Sequence, residues 1–163
     1  MFQYSQTYVV LHHPFLVQEN EKIDIEELEG EDGFIETFFR SLEQEKGGEV
    51  LRMSGNTETF TVARDRLKGY GVARRKKHIN ARHLISESPM AEDEILESRV
   101  KGRETRILPK NIFNPKLHFS MWKDHVTFTI WDQGLHTVII TNKSIADFMK
   151  MMFEIAWSGA KSE

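Results

Sequence analysis

The stretch from His118 to Trp157, HFSMWKDHVTFTIWDQGLHTVIITNKSIADFMKMMFEIAW, shows the fold most clearly. It holds three short runs rich in β-branched and aromatic residues, separated by tight turns: HFSMW (118–122), VTFTIW (126–131) and HTVIIT (136–141). These runs predict a three-stranded antiparallel meander. Apolar residues then recur from Ile145 to Trp157 at helical spacing, which predicts a long amphipathic helix directly after the meander.

Two sets of residues can begin that last helix. Asn142 can cap it, or Ser144 can form a capping box with Asp147. Its Met-rich string FMKMMF is typical of core packing. If the packed side does not cover Phe148, Met152 and Trp157, the remainder predicts a subunit interface.

Helices and strands alternate before the meander, so the predicted fold class is mixed α/β, a mixed sheet with flanking helices. An acidic segment, 19–32, leads into a helix that carries Phe34 to Leu42. The further predicted elements are a strand at 49–54, a helix at 57–77 weakened near Gly69 and Gly71, a strand at 79–86, a helix at 92–100 and a strand at 103–108. At the start of the chain, residues 7–17 predict one or two short strands.

Composition limits the function. The chain has 163 residues, of which 39% are hydrophobic, enough for one domain with a real core. It has no cysteine, which excludes disulfides, thiolate zinc sites, iron-sulfur clusters and cysteine nucleophiles. It also lacks a membrane-spanning apolar run or a signal-peptide pattern, so we expect a cytoplasmic protein without a membrane partner. A net charge of −3 gives no general attraction to nucleic acid.

Four strings, taken in order, resemble the effector-binding domain of TrmB-type transcription regulators. They are LEGEDGFIETFFRSL (28–42), EVLRMSGN (49–56), RETRILPKNIF (103–113) and HTVIITNKSIADFMKMMFEIAWSGAK (136–161), the last with Phe153 and Trp157 in a Phe-x-x-x-Trp ending. The resemblance implies a phospholipase-D-like three-layer fold for one domain at 24–163, preceded by an N-terminal strand or extension at 1–23.

The resemblance also implies a function, a non-enzymatic sensor of a small polar molecule such as a sugar, acting as a homodimer without a cofactor. TrmB-type regulators carry a winged helix-turn-helix before this domain, and residues 1–23 cannot hold one. We therefore expect an excised effector domain or a stand-alone relative that does not bind DNA by itself.

Phospholipase-D-like enzymes use the pattern His-x-Lys, with an Asp further on, to attack and hold a phosphoryl group. Here His118 is present, Ser120 occupies the lysine position, and Asp124 lies nearby. The catalytic set is incomplete, so no catalytic residue is assigned. The alternatives are a degenerate phosphodiesterase or nuclease, and a pure interaction or dimerisation module.

Polar residues at strand ends give the candidate ligand site, because a degenerate active site still offers hydrogen-bonding groups there. The six candidates are Ser54, Asn56, His118, Ser120, Asn142 and Lys143, expected to converge on one pocket. Each has a structural alternative as a helix cap, a turn residue or an ordinary strand residue.

Two further clusters favour structural roles. The basic run 74–78 is typical of a helix C-terminus more than of a phosphate site. His12 and His13 are adjacent and would point to opposite faces of a strand, while His78 and His83 flank a helix-strand junction. We expect no metal site.

Overall fold

The computed structural model describes residues 22–55, 65–89, 91–113, 116–131 and 134–161. Within these ranges the elements follow in the order β1 (Asp24–Glu29), α1 (Gly30–Arg40), β2 (Glu49–Ser54), α2 (Tyr70–Lys76), β3 (Asn80–Ser86), α3 (Ala91–Val100), β4 (Glu104–Leu108), β5 (Leu117–Trp122), β6 (His125–Trp131), β7 (Leu135–Thr141) and α4 (Lys143–Gly159).

All seven of these strands form one mixed sheet in the order β1-β7-β6-β5-β2-β3-β4. Strands β2, β3 and β4 are parallel, whereas β5, β6 and β7 form the predicted antiparallel meander, which joins β2 through β5. Because β5 runs against β2, His118 at the start of β5 lies opposite Ser54 at the end of β2. This pairing brings residues that are distant in sequence together in the middle of the sheet, where β2 ends and β5 begins.

Helices cover both faces of the sheet, which gives three layers. Helix α4 covers one face, where its buried Phe153 and Trp157 pack in a core with Leu51, Leu84, Phe119 and Met121. Helices α1, α2 and α3 cover the other face, with Phe34, Phe38 and Tyr70 in a second core. Side chains alternate between the faces along each strand, so each strand contributes to both cores.

The meander and the last helix match the prediction to within about a residue or two at each end. Asn142 caps α4, since its side-chain oxygen accepts a hydrogen bond from the Ile145 amide at 2.9 Å. Ser144, the alternative start, lies inside α4, which begins at Lys143. Helix α1 spans Gly30–Arg40 and carries most of the predicted apolar stripe from Phe34 to Leu42. Of the predicted helix at 57–77, residues 57–64 lie outside the described residues, and α2 forms the end of its described part.

Strand β1 was missed by the sequence analysis. It lies inside the acidic segment, has the sequence DIEELE and pairs along its whole length with β7. No apolar alternation marks it, since its side chains are mostly exposed, and its backbone pairing with β7 makes it a strand. Its charges also suit an edge strand, because they discourage pairing with another chain. The strands predicted at 7–17 and most of the extension at 1–23 lie outside the described residues.

Candidate functional site: a cationic pocket beside a buried polar row

The face of the sheet under α1, α2 and α3 carries a row of buried polar side chains. Residues paired across neighbouring strands share a face, so the row follows from the register. It contains Arg52 and Ser54 of β2, His83 of β3, Thr105 of β4, His118 and Ser120 of β5, Thr127 and Thr129 of β6, and Thr137 of β7. A buried polar row of this length requires hydrogen-bond partners, and the structure supplies most of them locally.

Ser54 links two histidines at the centre of the row. Its Oγ lies 2.8 Å from His83 Nε2 and 3.2 Å from His118 Nδ1. The His118 ring is only 1% exposed and contacts the rings of Phe34 and Phe38, with centroid distances of 5.3 and 5.9 Å. Helix α1 therefore seals this part of the row from solvent.

Both imidazoles are neutral at neutral pH. Burial, and then the positive charge of Arg52, lower the pKa of His118 to about 3. Burial also holds the pKa of His83 well below its ordinary value, with contributions from Arg103, His118 and Arg52. A neutral imidazole can accept or donate one hydrogen bond at each nitrogen, which fits the Ser54 bridge.

Arg52 extends the row toward an opening. Its guanidinium lies over the rings of Phe38 and Tyr70, 4.1 and 4.9 Å from their centroids. Its Nη2 donates a hydrogen bond to the Tyr70 hydroxyl at 2.7 Å, and that hydroxyl lies 3.1 Å from Ser41 Oγ. The two aromatic rings and the Tyr70 hydroxyl hold Arg52 in one orientation.

A cavity of about 390 Å³ opens beside Arg52, between the sheet and helices α2 and α3. Phe38, Leu67, Tyr70, Val72 and Ala81 supply aromatic and aliphatic walls, and His83 lies at the sheet side. The charged side chains that line it are Arg52, Lys68, Arg74, Arg75, Lys101, Arg103, Glu94 and Glu97. Cations outnumber carboxylates, so the cavity is electropositive. We call this cavity the cationic pocket.

The basic run 74–78 has mainly a structural role at this pocket. Arg74 Nη2 donates to the carbonyl oxygens of Lys101 and Gly102 at 3.0 and 2.7 Å, just beyond the end of α3, and Arg75 Nη1 also donates to Lys101 O at 2.8 Å. The Lys77 ammonium donates to the carbonyl oxygen of Leu42. These bonds tie α2 to the carbonyl-rich end of α3 and to the segment after α1. The predicted position at a helix C-terminus agrees with the structure.

Arg103 closes the pocket on the β4 side. Its Nε donates to Ser98 Oγ at 2.8 Å, and its guanidinium forms a salt bridge with the largely buried Glu94. Burial lowers the pKa of Arg103 and outweighs the opposing effect of Glu94. Glu94 therefore neutralises one guanidinium of the pocket, and Arg52 is a separate positive charge.

The structure brings three of the six candidate site residues together. Ser54, His118 and Ser120 all lie on the polar row, with Ser120 opposite Arg52 in the β2–β5 register. Asn56 lies outside the described residues.

Asn142 and Lys143 lie at the opposite ends of the strands from Ser54 and His118, so the expected convergence of all six residues does not occur. They follow Thr141, which pairs with His125 at the start of β6. Asn142 caps α4, and Lys143 forms a salt bridge with Asp147. The strand direction of β7 places both residues on the far side from Ser54.

The residues that sequence reasoning missed are Arg52, Tyr70 and Arg103. The signal for Arg52 is a cation in the middle of the apolar strand EVLRMS, because a charged side chain is seldom fully buried unless it has a partner. In the described ranges no three residues of the types His, Asp and Glu lie in a group that could hold a metal ion, and His12 and His13 lie outside these ranges. No helix in the described part of the chain is long and apolar enough to cross a membrane.

In the described residues a seven-stranded mixed sheet lies between helical layers, with the meander and the long helix toward the C-terminus. This architecture is the phospholipase-D-like fold class expected from the sequence. The sequence matches no protein-family model and no curated protein. Solved structures do match it. TrmBL2, described as an archaeal chromatin protein with a novel mode of DNA binding, aligns over 92% of this chain with a TM-score of 0.57 and 16% identity.

Two other solved structures have the same fold at lower identity. NucT from Helicobacter pylori aligns over 87% of this chain with a TM-score of 0.62 and 10% identity. Polyphosphate kinase from Porphyromonas gingivalis aligns over 82%, with a TM-score of 0.52 and 9% identity. The chain spans 57% of the length of the TrmBL2 chain, all of NucT and 26% of the kinase. At such identities the likeness shows the fold alone, and function rests on the site.

Proposed function

We propose that this chain is a non-enzymatic, ligand-sensing domain of the TrmB type that acts in the cytoplasm and binds a small polar molecule in the cationic pocket. The observation that carries the proposal is the cavity of about 390 Å³, whose lining combines aromatic and aliphatic walls with charged side chains. Its size lies in the range of small-molecule pockets, and its charged side chains suit a polar ligand. The fold-level similarity to TrmBL2 is consistent with the proposal.

A sensing mechanism follows from which elements form the pocket. Tyr70 belongs to α2, Glu94 to α3, and Arg52 to the sheet, so a ligand would contact three separate elements at once. A ligand that binds one arrangement of these elements more tightly shifts the population toward it. The Arg74 bonds to the end of α3 would transmit a movement of α2 to α3.

The absence of catalysis is supported by the surroundings of His118. A phosphodiesterase of this fold would need an accessible imidazole and a lysine two residues later. His118 is covered by Phe34 and Phe38, and the position two residues later is Ser120. We expect no turnover of a phosphodiester such as bis(p-nitrophenyl) phosphate, and measurable turnover that disappears in His118→Gln would establish the enzymatic alternative.

The experiment that tests the sensor function is a thermal-shift screen against sugars, sugar phosphates, nucleotides and divalent metal ions. A compound that binds only the folded protein raises the unfolding midpoint. Gly71→Leu fills the pocket from α2, where an added Cβ meets only Arg75 Nη1 at 3.6 Å. Gly159→Leu, on α4 where an added Cβ meets nothing within 4 Å, is the control.

We expect at least one compound class to raise the midpoint of the native protein and of Gly159→Leu, but not of Gly71→Leu. A screen without any shift, or a shift that Gly71→Leu leaves unchanged, would contradict the pocket as the ligand site.

We propose that this chain alone does not bind DNA. TrmBL2 is a DNA-binding protein, but this chain spans only 57% of its length. Here three cations of the basic run, Arg74, Arg75 and Lys77, bind backbone carbonyls, and the net charge is −3. We expect no electrophoretic shift of duplex DNA at physiological salt, and a salt-sensitive shift would refute this part.

One observation favours dimerisation as a second function. Four apolar side chains on the outer side of α4, Phe148, Met151, Met152 and Ile155, are between 45% and 61% exposed. They are spaced at i, i+3, i+4 and i+7, which forms a row along the helix. Trp157, by contrast, is buried against the sheet. We propose that a second copy of the chain covers this row, since a two-fold axis places the same row against itself.

Sedimentation velocity tests the dimer. The native protein should sediment as a homodimer, and the double variant Phe148→Ser, Ile155→Ser as a monomer with unchanged far-UV circular dichroism. Val100→Ser, which removes an exposed apolar side chain from α3, is the matched control and should stay dimeric. A native protein that remains monomeric at high concentration would contradict the dimer proposal.

A further inference from the structure

Arg52 is a buried cation whose charge meets no carboxylate in the part of the chain that the structure describes. It is 7% exposed, its Nη2 donates to the Tyr70 hydroxyl, and its guanidinium lies against two aromatic rings. Its Nε is enclosed and has no hydrogen-bond partner among the described residues. Burying a charged group without a counter-ion is unfavourable, and the aromatic contacts offset only part of that penalty.

Two further guanidiniums near Arg52, those of Arg74 and Arg103, add to the positive charge of the pocket. Burial first, with the neighbouring guanidiniums among the further causes, lowers the pKa of Arg74 and of Arg103. Arg103 has Glu94 as its counter-ion, whereas the hydrogen bonds of Arg74 go to backbone carbonyl oxygens. Arg75 also donates to a carbonyl oxygen, that of Lys101. Among the described residues Arg52 is therefore the pocket guanidinium that binds neither a carboxylate nor a carbonyl oxygen, since the Tyr70 hydroxyl is its hydrogen-bond partner.

We infer that the ligand of the cationic pocket carries an oxyanion, a phosphate or a carboxylate group, and that Arg52 binds it. This inference rests on the proposed function, because it names the chemical class of the molecule bound in that pocket. A guanidinium presents its N–H groups as a planar fork that matches the oxygens of phosphate and carboxylate. The contacts with Phe38 and Tyr70 hold that fork before the ligand arrives.

The pocket also indicates the rest of the ligand. Leu67, Val72 and the Tyr70 ring form an apolar wall beside the charge, so the anion belongs to a small organic molecule with a partly apolar body. The charge lies inside a cavity of about 390 Å³, whereas a single-stranded nucleic acid requires a groove that follows its backbone. We therefore assign a small organic anion and not a nucleic acid.

The test uses matched probes that differ in charge. Unfolding midpoints are measured with glucose, glucose 6-phosphate and gluconate, with glycerol and glycerol 3-phosphate, and with inorganic phosphate, all at equal ionic strength set by sodium chloride. A probe at tenfold its Kd should raise the midpoint by about 4 °C. Gluconate separates a carboxylate requirement from a phosphate requirement, and a short single-stranded DNA tests the nucleic-acid alternative.

Two substitutions at Arg52 separate the charge from its shape. Arg52→Met keeps an unbranched side chain between the two rings and removes the cation, so the shift caused by anions should disappear while the protein still folds. Arg52→Lys keeps the charge without the planar fork and should retain part of the shift. Arg106→Met is the control, because Arg106 also lies over an aromatic ring, that of Trp157, outside the pocket.

The inference is supported if anionic members of the pairs shift the native protein and Arg106→Met, and Arg52→Met abolishes that shift. It is overturned, with the sensor function intact, if neutral glucose or glycerol shifts the midpoint as much as its phosphate and Arg52→Met has no effect. It is also overturned if only the DNA binds. If no probe and no compound in the wider screen shifts the midpoint, the sensor function fails together with the inference.

Discussion

Acidification should destabilise the folded protein through its buried histidines, and His118 allows the magnitude to be worked out. Its pKa is about 3 in the folded protein and about 6.5 when the chain is unfolded. Between these values the unfolded chain binds a proton that the folded protein does not bind. The contribution of His118 to the free energy of unfolding is therefore fully present above the unfolded pKa, and it is lost as the pH drops below that value. At about pH 5 the loss from His118 alone is about 2 kcal/mol.

The other ionisable groups with lowered pKa values do not hide the contribution of His118 in this pH range. The pKa of His83 is also lowered by burial, so His83 adds to the loss in the same direction. Glu26 and Glu154 have pKa values lowered by hydrogen bonds from Arg40 and Arg82 respectively. Their contributions are lost as the pH falls from about 5 through the ordinary carboxyl pKa, so the change between about pH 8 and about pH 5 comes mainly from histidine.

The assay is urea unfolding at both pH values, followed by the fluorescence of the three tryptophans. His118→Gln keeps a neutral polar side chain and should reduce the pH-dependent loss by about 2 kcal/mol. His136→Gln, at an exposed position of β7, is the matched control and should show the same loss as the native protein. An unchanged pH-dependent loss in His118→Gln would refute the reasoning.

Three further predictions concern stability, each measured as the free energy of unfolding in urea. Asn142→Ala removes the cap of α4 and should lower it by about 1 kcal/mol, and an unchanged value would contradict the capping geometry. Phe153→Ala empties the centre of the α4 core and should lower it by about 3 to 5 kcal/mol, far more than an exposed site would. Arg74→Met removes the donor to the carbonyl oxygen of Ile79, in a buried contact, and to the partly buried one of Gly102, and should lower it by about 2 kcal/mol. The exposed Arg75→Met should change it much less, and equal effects at both positions would be inconsistent with a special role for Arg74.

The local pattern of the sequence is sufficient for most elements of the fold. The meander and α4 were predicted because their apolar residues recur with the periods of a strand and a helix. Strand β1 was not predicted, since Asp24 to Glu29 form a strand through pairing with β7, and no local pattern records a partner more than a hundred residues away in sequence. The strands at 7–17 stay a prediction.

The candidate site shows where sequence reasoning stops. Their position at strand ends predicts Ser54 and His118 as site residues, and the antiparallel β2–β5 pairing does bring them together. The same pattern predicts Asn142, but β7 ends at the opposite ends of the strands because it runs against β6. Strand order and direction decide which ends meet, and neither is written in the local pattern. Whether the chosen residues bind a ligand stays a prediction.

Arg52 was missed for a different reason. Within EVLRMS it looks like one polar residue in a buried strand, and its importance depends on Tyr70 and Arg103, which other elements bring to the same cavity. A buried cation in a strand is nevertheless a signal that can be searched for in a sequence, since charged residues are seldom fully buried without a partner.

Hydrogen-deuterium exchange with and without a compound that raises the unfolding midpoint is the most direct test of the cationic pocket as the ligand site. Binding slows exchange in the segments that it stabilises. We predict slower exchange in 70–76 and 91–103, which line the pocket, and little change in α4. Slower exchange confined to α4, or to the edge of the sheet at Asn142, would contradict the assignment of the pocket.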